Sequence, residues 1–438
     1  MRIWLITVGE PLPLDGGSAR LLRSGILANL LAARGHDVVW WTSTFDHTHK
    51  RQRQPADTTI DLDEHLRIKM LHATAYKKNV SISRLVNHYK LGRKFAKSAS
   101  GERRPDIILS SLPTLELCVA ATEYGKQNNV PVVLDIRDLW PDVFLDLVPD
   151  WTRGAARWLL APLFRFAGRA CADATAILGI TAAFVEWGLR YAGRPKSDRD
   201  RDFPFGYTRA APGQDAIQKA EAFWAEHGVH RDARRFIACF VGTIGHQFDL
   251  ESIIEAAERL STQSRPIQFI LGGTGEKLDS LKHRARQSKH VLFPGWLGAA
   301  DIWTLMRMSA VGLAPYRRCD NFAANIPNKP IEYLSAGLPI ITTIQEGDLS
   351  DLIGRHDCGL SYGIGRPDDL AAVLIGLYDR PDRRKKMAEN AYSLYEQRFV
   401  AEKIYGEMIK HLEQIAATQH NGRLRSVINE HTEVAAQL

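Results

Sequence analysis

Cys-Asp-Asn-Phe-Ala-Ala-Asn-Ile-Pro-Asn-Lys-Pro-Ile-Glu-Tyr-Leu-Ser-Ala-Gly-Leu-Pro, residues 319–339, joins a polar loop to a helix start that carries a lysine and a glutamate three positions apart. Pro330 suits the first turn of a helix, whose unpaired N–H groups and positive dipole end attract phosphate. Lys329 puts a full charge just outside that turn, and Glu332, just inside it, is an acceptor for vicinal hydroxyls. Ala336 and Gly337 then end the helix and let the backbone turn into the apolar strand 338–341. The run reads either as a nucleotide-diphosphate site or as an ordinary helix of an α/β domain. Two charged groups at one helix mouth favour the ligand.

Outward from this run, short apolar segments bounded by turn signals alternate with stretches long enough for helices, the pattern of βα units and parallel sheets. Strands are expected at 3–7, 38–42, 107–110, 132–135 and 176–179, with helices near 19–34, 82–97, 115–128 and 153–172. The charged, aperiodic segment 194–202 reads as a linker leaving the first domain. Strands resume at 236–241, 268–271, 291–293, 312–314 and 340–342, helices follow from Pro381, and the polar tail after Gln419 is expected to fray. At 438 residues the chain suits two cores better than one. The expected fold class is therefore α/β, with two Rossmann-like parallel-sheet domains, 1–205 and 206–400, facing a cleft, and a closing segment 401–438.

Composition narrows the function classes. Hydrophobic residues at 45% and charged residues at 24% fit a soluble globular chain. No apolar run approaches the ~20 residues of a membrane span. The amino terminus has too short an apolar core and too early a glutamate, Glu10, for a secretion signal, so a cytosolic protein is expected. Five scattered cysteines without a Cys-x-x-Cys pair argue against a disulfide framework and a zinc site. Asp61-Leu-Asp63 is isolated in a charged stretch and no histidine pair has ligand spacing, so neither metal nor other cofactor is expected.

Charge is concentrated. Between Arg67 and Arg104 lie eleven Lys and Arg residues against one acid, Glu102, which reads as a solvated face or as a docking face for an anionic partner. Aromatic interleaving limited to Tyr76, Tyr89 and Phe95 disfavours nucleic acid and leaves an anionic membrane surface. In 151–172, Arg153, Arg157, Arg165 and Arg169 recur at multiples of four beside Trp158, Leu159, Leu163 and Phe166. Such a helix lies in a headgroup region or packs on the sheet, and packing is expected for Leu159 and Leu163.

In open α/β sheets ligands bind outside the carboxyl ends of strands, and the remaining motifs fall there. Gly16 and Gly17 open a helix after the first strand, where glycine admits a phosphate or sugar close to backbone amides or simply makes a turn. Asp135-Ile-Arg-Asp-Leu-Trp-Pro-Asp142 ends another strand. Its Arg137 is a candidate for leaving-group charge and Asp138 for orienting an acceptor hydroxyl, the alternative being an Arg–Asp ion pair that holds the loop. Gly242 and Thr243 close the first strand of the second half, and Gly273 and Gly275 form a short glycine loop.

The pattern Pro-x-Lys-x-x-Glu-Tyr-x-x-x-Gly-x-Pro at 327–339, with Gly16-Gly17, 135–141, Phe240-Val-Gly-Thr-Ile-Gly245 and Leu271-Gly-Gly-Thr-Gly-Glu276, resembles family 4 glycosyltransferases, retaining enzymes of the GT-B fold. The nearest branch is similar to enzymes that build bacterial surface polysaccharides from nucleotide-activated N-acetylated sugars. The resemblance implies an acceptor-binding first domain, a donor-binding second domain and a last helix that crosses back onto the first. It also implies a UDP-sugar donor, a polyprenyl-linked acceptor and peripheral attachment to the inner face of the plasma membrane. Lys329 would then serve catalysis as well as donor binding, Trp296 and Leu297 would lie against the nucleobase, and Asn321 and Asn325, or main-chain amides, would take over sugar contacts. Three departures stand out: Arg137 and Asp138 occupy the neighbourhood of a usual histidine, His246 to Asp249 replace a usual arginine and lysine, and Ala324 replaces a usual glutamate. A sugar-nucleotide epimerase and a non-catalytic nucleotide-sugar-binding subunit are the alternatives.

Overall fold

Val-, Ile- and Trp-rich runs without polar alternation mark strands covered on both faces. In the structure, a computed structural model that describes residues 1–16, 20–230, 235–261 and 265–436, such runs form two sheets. Of the side chains, those of 147, 320, 321 and 420 onward lie outside the description. The first sheet comprises β1 (Arg2–Ile6), β2 (Asp37–Ser43), β3 (Thr58–Asp61), β4 (Leu66–Leu71), β5 (Ile107–Ser111), β6 (Val132–Ile136), β7 (Ala176–Gly179) and β8 (Arg201–Asp202). Their order is β8-β7-β6-β5-β1-β2-β4-β3, parallel except between β3 and β4. Trp4 on β1 meets Trp41 on β2 edge-on at 5.3 Å, inside a core closed by Phe95 and Tyr124.

The second sheet comprises β9 (Phe236–Val241), β10 (Ile267–Gly272), β11 (Val291–Gly295), β12 (Val311–Ala314), β13 (Ile340–Thr342) and β14 (Gly359–Ser361), parallel throughout in the order β11-β10-β9-β12-β13-β14. Strand order reverses between β9 and β12, so the crevice above their carboxyl ends is a topological switch point. The chain divides into two compact units, Met1–Pro204 with Glu402–Leu438, and Phe205–Ala401.

Several expectations need correction. The segment 194–202 is no linker: Asp200 accepts both guanidinium nitrogens of Arg194 at 2.7 Å, Ser197 Oγ at 2.7 Å and Ile177 N at 2.8 Å, and the chain then adds β8 to the sheet edge. Polar side chains that read as solvated spend their hydrogen bonds on one buried carboxylate. The helix expected over 153–172 is two, Arg153–Leu159 and Ala161–Asp173, because Pro162 opens a new first turn. Leu163 is buried as expected, whereas Leu159 is 73% exposed beside Trp158 at 80% and Trp151 at 88%. The basic block also starts inside β4, whose alternation of cations with buried Leu66, Ile68 and Met70 is that of a strand. Three of its cations are paired, Arg67 with Asp61, Lys69 with Glu102 and Lys94 with Asp57. The tail expected to fray lies in the helix Ala401–Ala436.

Burial by itself would raise the Asp200 carboxyl, but its hydrogen bonds to Arg194, Ser197 and Ile177 N pull it down to about 2. A carboxylate depressed in the folded state adds stability above its unfolded value near 4, and that stability is lost as pH falls toward 2. Asp200→Asn is expected to lose about 2 kcal/mol at neutral pH. In urea unfolding measured from pH 7 down to pH 3, the gap between variant and parent should narrow below about pH 4.

Candidate functional site

The site in the second unit is set by one tyrosine. Tyr333 lies in the helix Asn328–Ser335, fully buried, and its hydroxyl donates to Leu313 O at 3.1 Å while accepting from Val241 N at 3.3 Å. One phenol thus ties the helix to β9 and β12, the two strands that flank the switch point. Gly312 is required beneath it, since a Cβ there would stand 2.3 Å from the ring. One helical turn before Tyr333 sits Lys329, on the same face.

Lys329 Nζ lies against Gly242, where a Cβ would approach it to 2.0 Å. It sits over the rings of Phe248 at 4.8 Å and Phe240 at 5.2 Å. These aromatics continue to Tyr316 and Phe322 through contacts of 5.1 and 4.6 Å. The face of an aromatic ring attracts an ammonium, and a charge in a medium of low polarity acts on an anion more strongly than in water. The helix starts at Asn328, so Lys329 belongs to its first turn and not outside it, and the cap residue Pro327 offers no side-chain acceptor to the first N–H groups. Gly337 at φ +68° ends the helix as expected.

Two glycine loops meet beside the lysine. Gly242 has φ +148° and Gly273 φ +132°, and a Cβ on Gly273 would stand 1.9 Å from Gly242 O. Ile244 N donates to Thr274 O at 2.9 Å, and a Cβ on Gly275 would reach 2.3 Å from Ile244 O. Glycine at these positions lets backbone lie on backbone, which explains a motif that is weak as a phosphate signature. Thr243 is exposed at the loop tip. Gly273 N donates to Gly295 O at 2.6 Å, bringing in the third loop, where Trp296 is 57% exposed and Leu297 is buried over Gly272.

Glu332 is buried at 6% exposure beside Tyr333. Asn325, 5% exposed, holds a buried Oδ1 with no hydrogen-bond partner among the described residues. An unsatisfied buried carbonyl costs about 1–3 kcal/mol, and it makes Asn325 a ready acceptor for a donor group on a ligand. Asn321 carries a side chain outside the described residues. Arg317 is engaged by Glu251 at 3.1 Å and Asp249 at 3.7 Å, whereas Arg318 is exposed and lines a cavity of about 380 Å³ with Cys319 and Phe322.

In the first unit the motif 135–142 is built around a buried charge network. Asp135 receives Arg23 at 2.9 and 3.0 Å and Arg137 Nε at 2.6 Å, and Arg137 also pairs with Glu10 and reaches Ser24 Oγ at 3.0 Å. Burial favours the neutral acid, yet the two guanidiniums hold the Asp135 carboxyl below its usual value. The charge of Arg137 is therefore matched by Asp135 and Glu10, the ion-pair alternative for this loop. Asp138 is half-buried and faces the field of Arg84. Gly16 takes φ +99° with open space around its Cβ position, and Gly17 lies outside the described residues. Among the described residues no three His, Cys, Asp or Glu side chains cluster to hold a metal ion.

Comparison with solved structures defines the fold. The chain is similar to the sucrose-phosphate synthase tll1590 of Thermosynechococcus elongatus, at 18% identity and TM-score 0.71 over 95% of this chain and 99% of that one. It is similar to Anabaena HepE in complex with UDP-glucose, at 18% identity and TM-score 0.63 over 94% and 100%. It also resembles WaaG, a glycosyltransferase involved in lipopolysaccharide biosynthesis, at 15% identity and TM-score 0.59 over 95% and 98%. The fold is GT-B. No curated protein matches the sequence. Residues 224–394 match the family described as glycosyl transferases group 1, so the second unit carries a glycosyl transferase group 1 domain in a chain of GT-B fold.

The helix start, Lys329 and the three loops were readable in sequence. The aromatic seat of the lysine and the role of Tyr333 were not, although a tyrosine four residues after a lysine in a short helix is the pattern that marks a shared face. Tyr333→Phe is expected to lower stability by about 1–3 kcal/mol, since it strands a buried amide and carbonyl. Thermal unfolding monitored by circular dichroism checks this.

Proposed function

We propose that the protein is a retaining glycosyltransferase of family 4, moving a sugar from a UDP-linked, N-acetylated donor to a polyprenyl-linked glycan precursor during surface-polysaccharide synthesis. The observation that carries the proposal is the Lys329 ammonium, seated on Phe240 and Phe248 against Gly242 at the head of a helix. Retention and family are inferred from the motif pattern. The nucleotide is inferred from HepE, a structural neighbour solved with UDP-glucose. WaaG, a neighbour involved in lipopolysaccharide biosynthesis, supports the setting in surface-polysaccharide synthesis, and the polyprenyl-linked acceptor is inferred from the motif pattern.

On this reading the second unit binds the donor. As the bond between anomeric carbon and diphosphate breaks, Lys329 and the first N–H groups of its helix stabilise the charge that develops on the leaving oxygen. Glu332 accepts ribose hydroxyls, Asn325 contacts the sugar, and Trp296 and Leu297 border the base. The first unit binds the acceptor. The hydroxyl attacks from the face the diphosphate leaves and gives its proton to that phosphate. Asp138 orients the hydroxyl, while Arg137 is a positioning residue locked to Asp135 and Glu10. The scheme assigns no step to a metal ion, and it places the enzyme on the cytosolic face of the membrane. No helix among the described residues is long and apolar enough to cross a membrane.

Lys329→Ala is expected to lose about 1.5–3 kcal/mol of transition-state stabilisation, roughly 10- to 150-fold in kcat/KM. Product mass from a panel of nucleotide sugars and a membrane extract, with and without EDTA, is the test. Unchanged turnover in this variant, or activity abolished by EDTA and restored by magnesium, would refute the leaving-group account. The membrane part is tested by vesicle sedimentation. Binding should require anionic lipid, weaken with salt, and fall when the exposed Lys90, Arg93 and Lys97 become glutamate.

A further inference from the structure

The first unit holds an apolar cavity of about 350 Å³ between the start of the helix Ile82–Ala99 and the broken helix pair, lined by Val80, Leu85, Trp140, Phe144, Val148 and Leu163. One wall is a cation. Arg84 lies over Trp140 at 4.6 Å and Tyr76 at 5.8 Å, donates to Asn79 O at 2.8 Å, and has no carboxylate within ion-pair distance among the described residues. Asn79, on the same rim, accepts Lys50 Nζ at 2.6 Å, and that ammonium sits 5.1 Å from Tyr76. Lys50 reaches this place from the two-residue hairpin 45–52 through a left-handed backbone, φ 55°. The nearby acid, Asp46, is engaged by His49 and Arg53. One guanidinium at the cavity wall and one ammonium on its rim residue Asn79 thus lie together, and the acid that bears on Arg84, Asp138, makes no ion pair with it.

A partly buried guanidinium beside a second cation is costly unless an anion completes it. The neighbouring imidazoles supply no charge: burial first, and then Arg84, press His88 down to about 3 and His47 down to about 4. The complement is an anion joined to hydrocarbon. Inorganic phosphate would leave the cavity unused, and a neutral lipid would leave Arg84 unmatched. The cavity also opens among exposed apolar side chains, Val80 at 57% and Ile82 at 79%, as a site that draws a chain from a bilayer requires.

We propose that this cavity seats the first isoprene units of a prenyl diphosphate and that Arg84, with Lys50, binds its phosphates. The inference rests on the reading of the acceptor as polyprenyl-linked, and it assigns the subsite that would hold it. Isothermal titration of the full chain with farnesyl diphosphate, inorganic diphosphate and farnesol is the test. Farnesyl diphosphate should bind at least about tenfold more tightly than either fragment. Arg84→Gln should weaken it about tenfold or more, with Arg84→Lys recovering part of the loss. Leu160→Trp, which narrows the cavity, should weaken farnesyl diphosphate and leave inorganic diphosphate unchanged. Equal affinity for inorganic diphosphate, or farnesyl diphosphate binding unmoved in Arg84→Gln and Leu160→Trp variants with parental melting curves, overturns the proposal. Transfer to a lipid-linked acceptor with an unchanged acceptor KM in Arg84→Gln also overturns the subsite and leaves the acceptor reading standing. Farnesyl diphosphate bound as expected by a protein that transfers sugar only to soluble acceptors sustains the subsite and removes the acceptor reading.

Discussion

A single buried phenol, Tyr333, governs the geometry of the second unit. Its hydroxyl spans Val241 N and Leu313 O, so the helix it belongs to cannot slide along the sheet without breaking two buried hydrogen bonds. That fixes Lys329 one turn away to within the slack of its own side chain, and Phe240, Phe248 and Gly242 remove most of that slack. A lysine is ordinarily a mobile, strongly hydrated charge. Here it is held at the end of β9, beside two glycine loops whose backbones are in contact.

The two units use buried charge in opposite ways. In the first, Asp135, Arg23, Arg137 and Glu10 form a closed set in which two carboxylates answer two guanidiniums, and the loop after β6 is rigid in consequence. Arg84, on the same unit, has no carboxylate at ion-pair distance among the described residues, and Asp138 acts on it only through its field. Closed sets serve structure, and open ones leave electrostatic work for a ligand. This distinction moves Arg137 away from chemistry and draws Arg84, which looked like one cation among eleven, toward it.

Central strands and the helix Asn328–Ser335 were legible because their signals are local: unbroken apolar runs, a proline in a first turn, a glycine just past a last turn. Legibility failed where meaning depends on a distant partner. Arg194, Ser197 and Asp200 look like solvated linker residues until Ile177 N is seen to complete the carboxylate shell. Leu66 to Leu71 alternates apolar residues with cations as a strand does, but its charge read as part of a basic block, and its pairing with β2 depends on residues almost thirty positions earlier. The glycines at 242, 273 and 275 were read as leaving room beside a phosphate, and what the structure shows is their mutual backbone contact. Gly17 and the side chain of Asn321 fall outside the described residues.

The departures from the family pattern bear on one another. With His246 and Gln247 after Gly242, and with Arg317 committed to Glu251 and Asp249, few cations in this unit remain to meet a diphosphate. If the proposed chemistry holds, a larger share of the leaving-group charge must fall on Lys329, whose seat on two aromatic rings suits that load, since low local polarity strengthens its field. Alanine at 324 removes an acidic acceptor from the sugar side, and the nearest buried substitute is the unpartnered carbonyl of Asn325. A neutral amide both donates and accepts, whereas a carboxylate only accepts. On the proposed reading, an amide at this place would suit a sugar that presents an N-acetyl group, with an N–H to give and a carbonyl to receive.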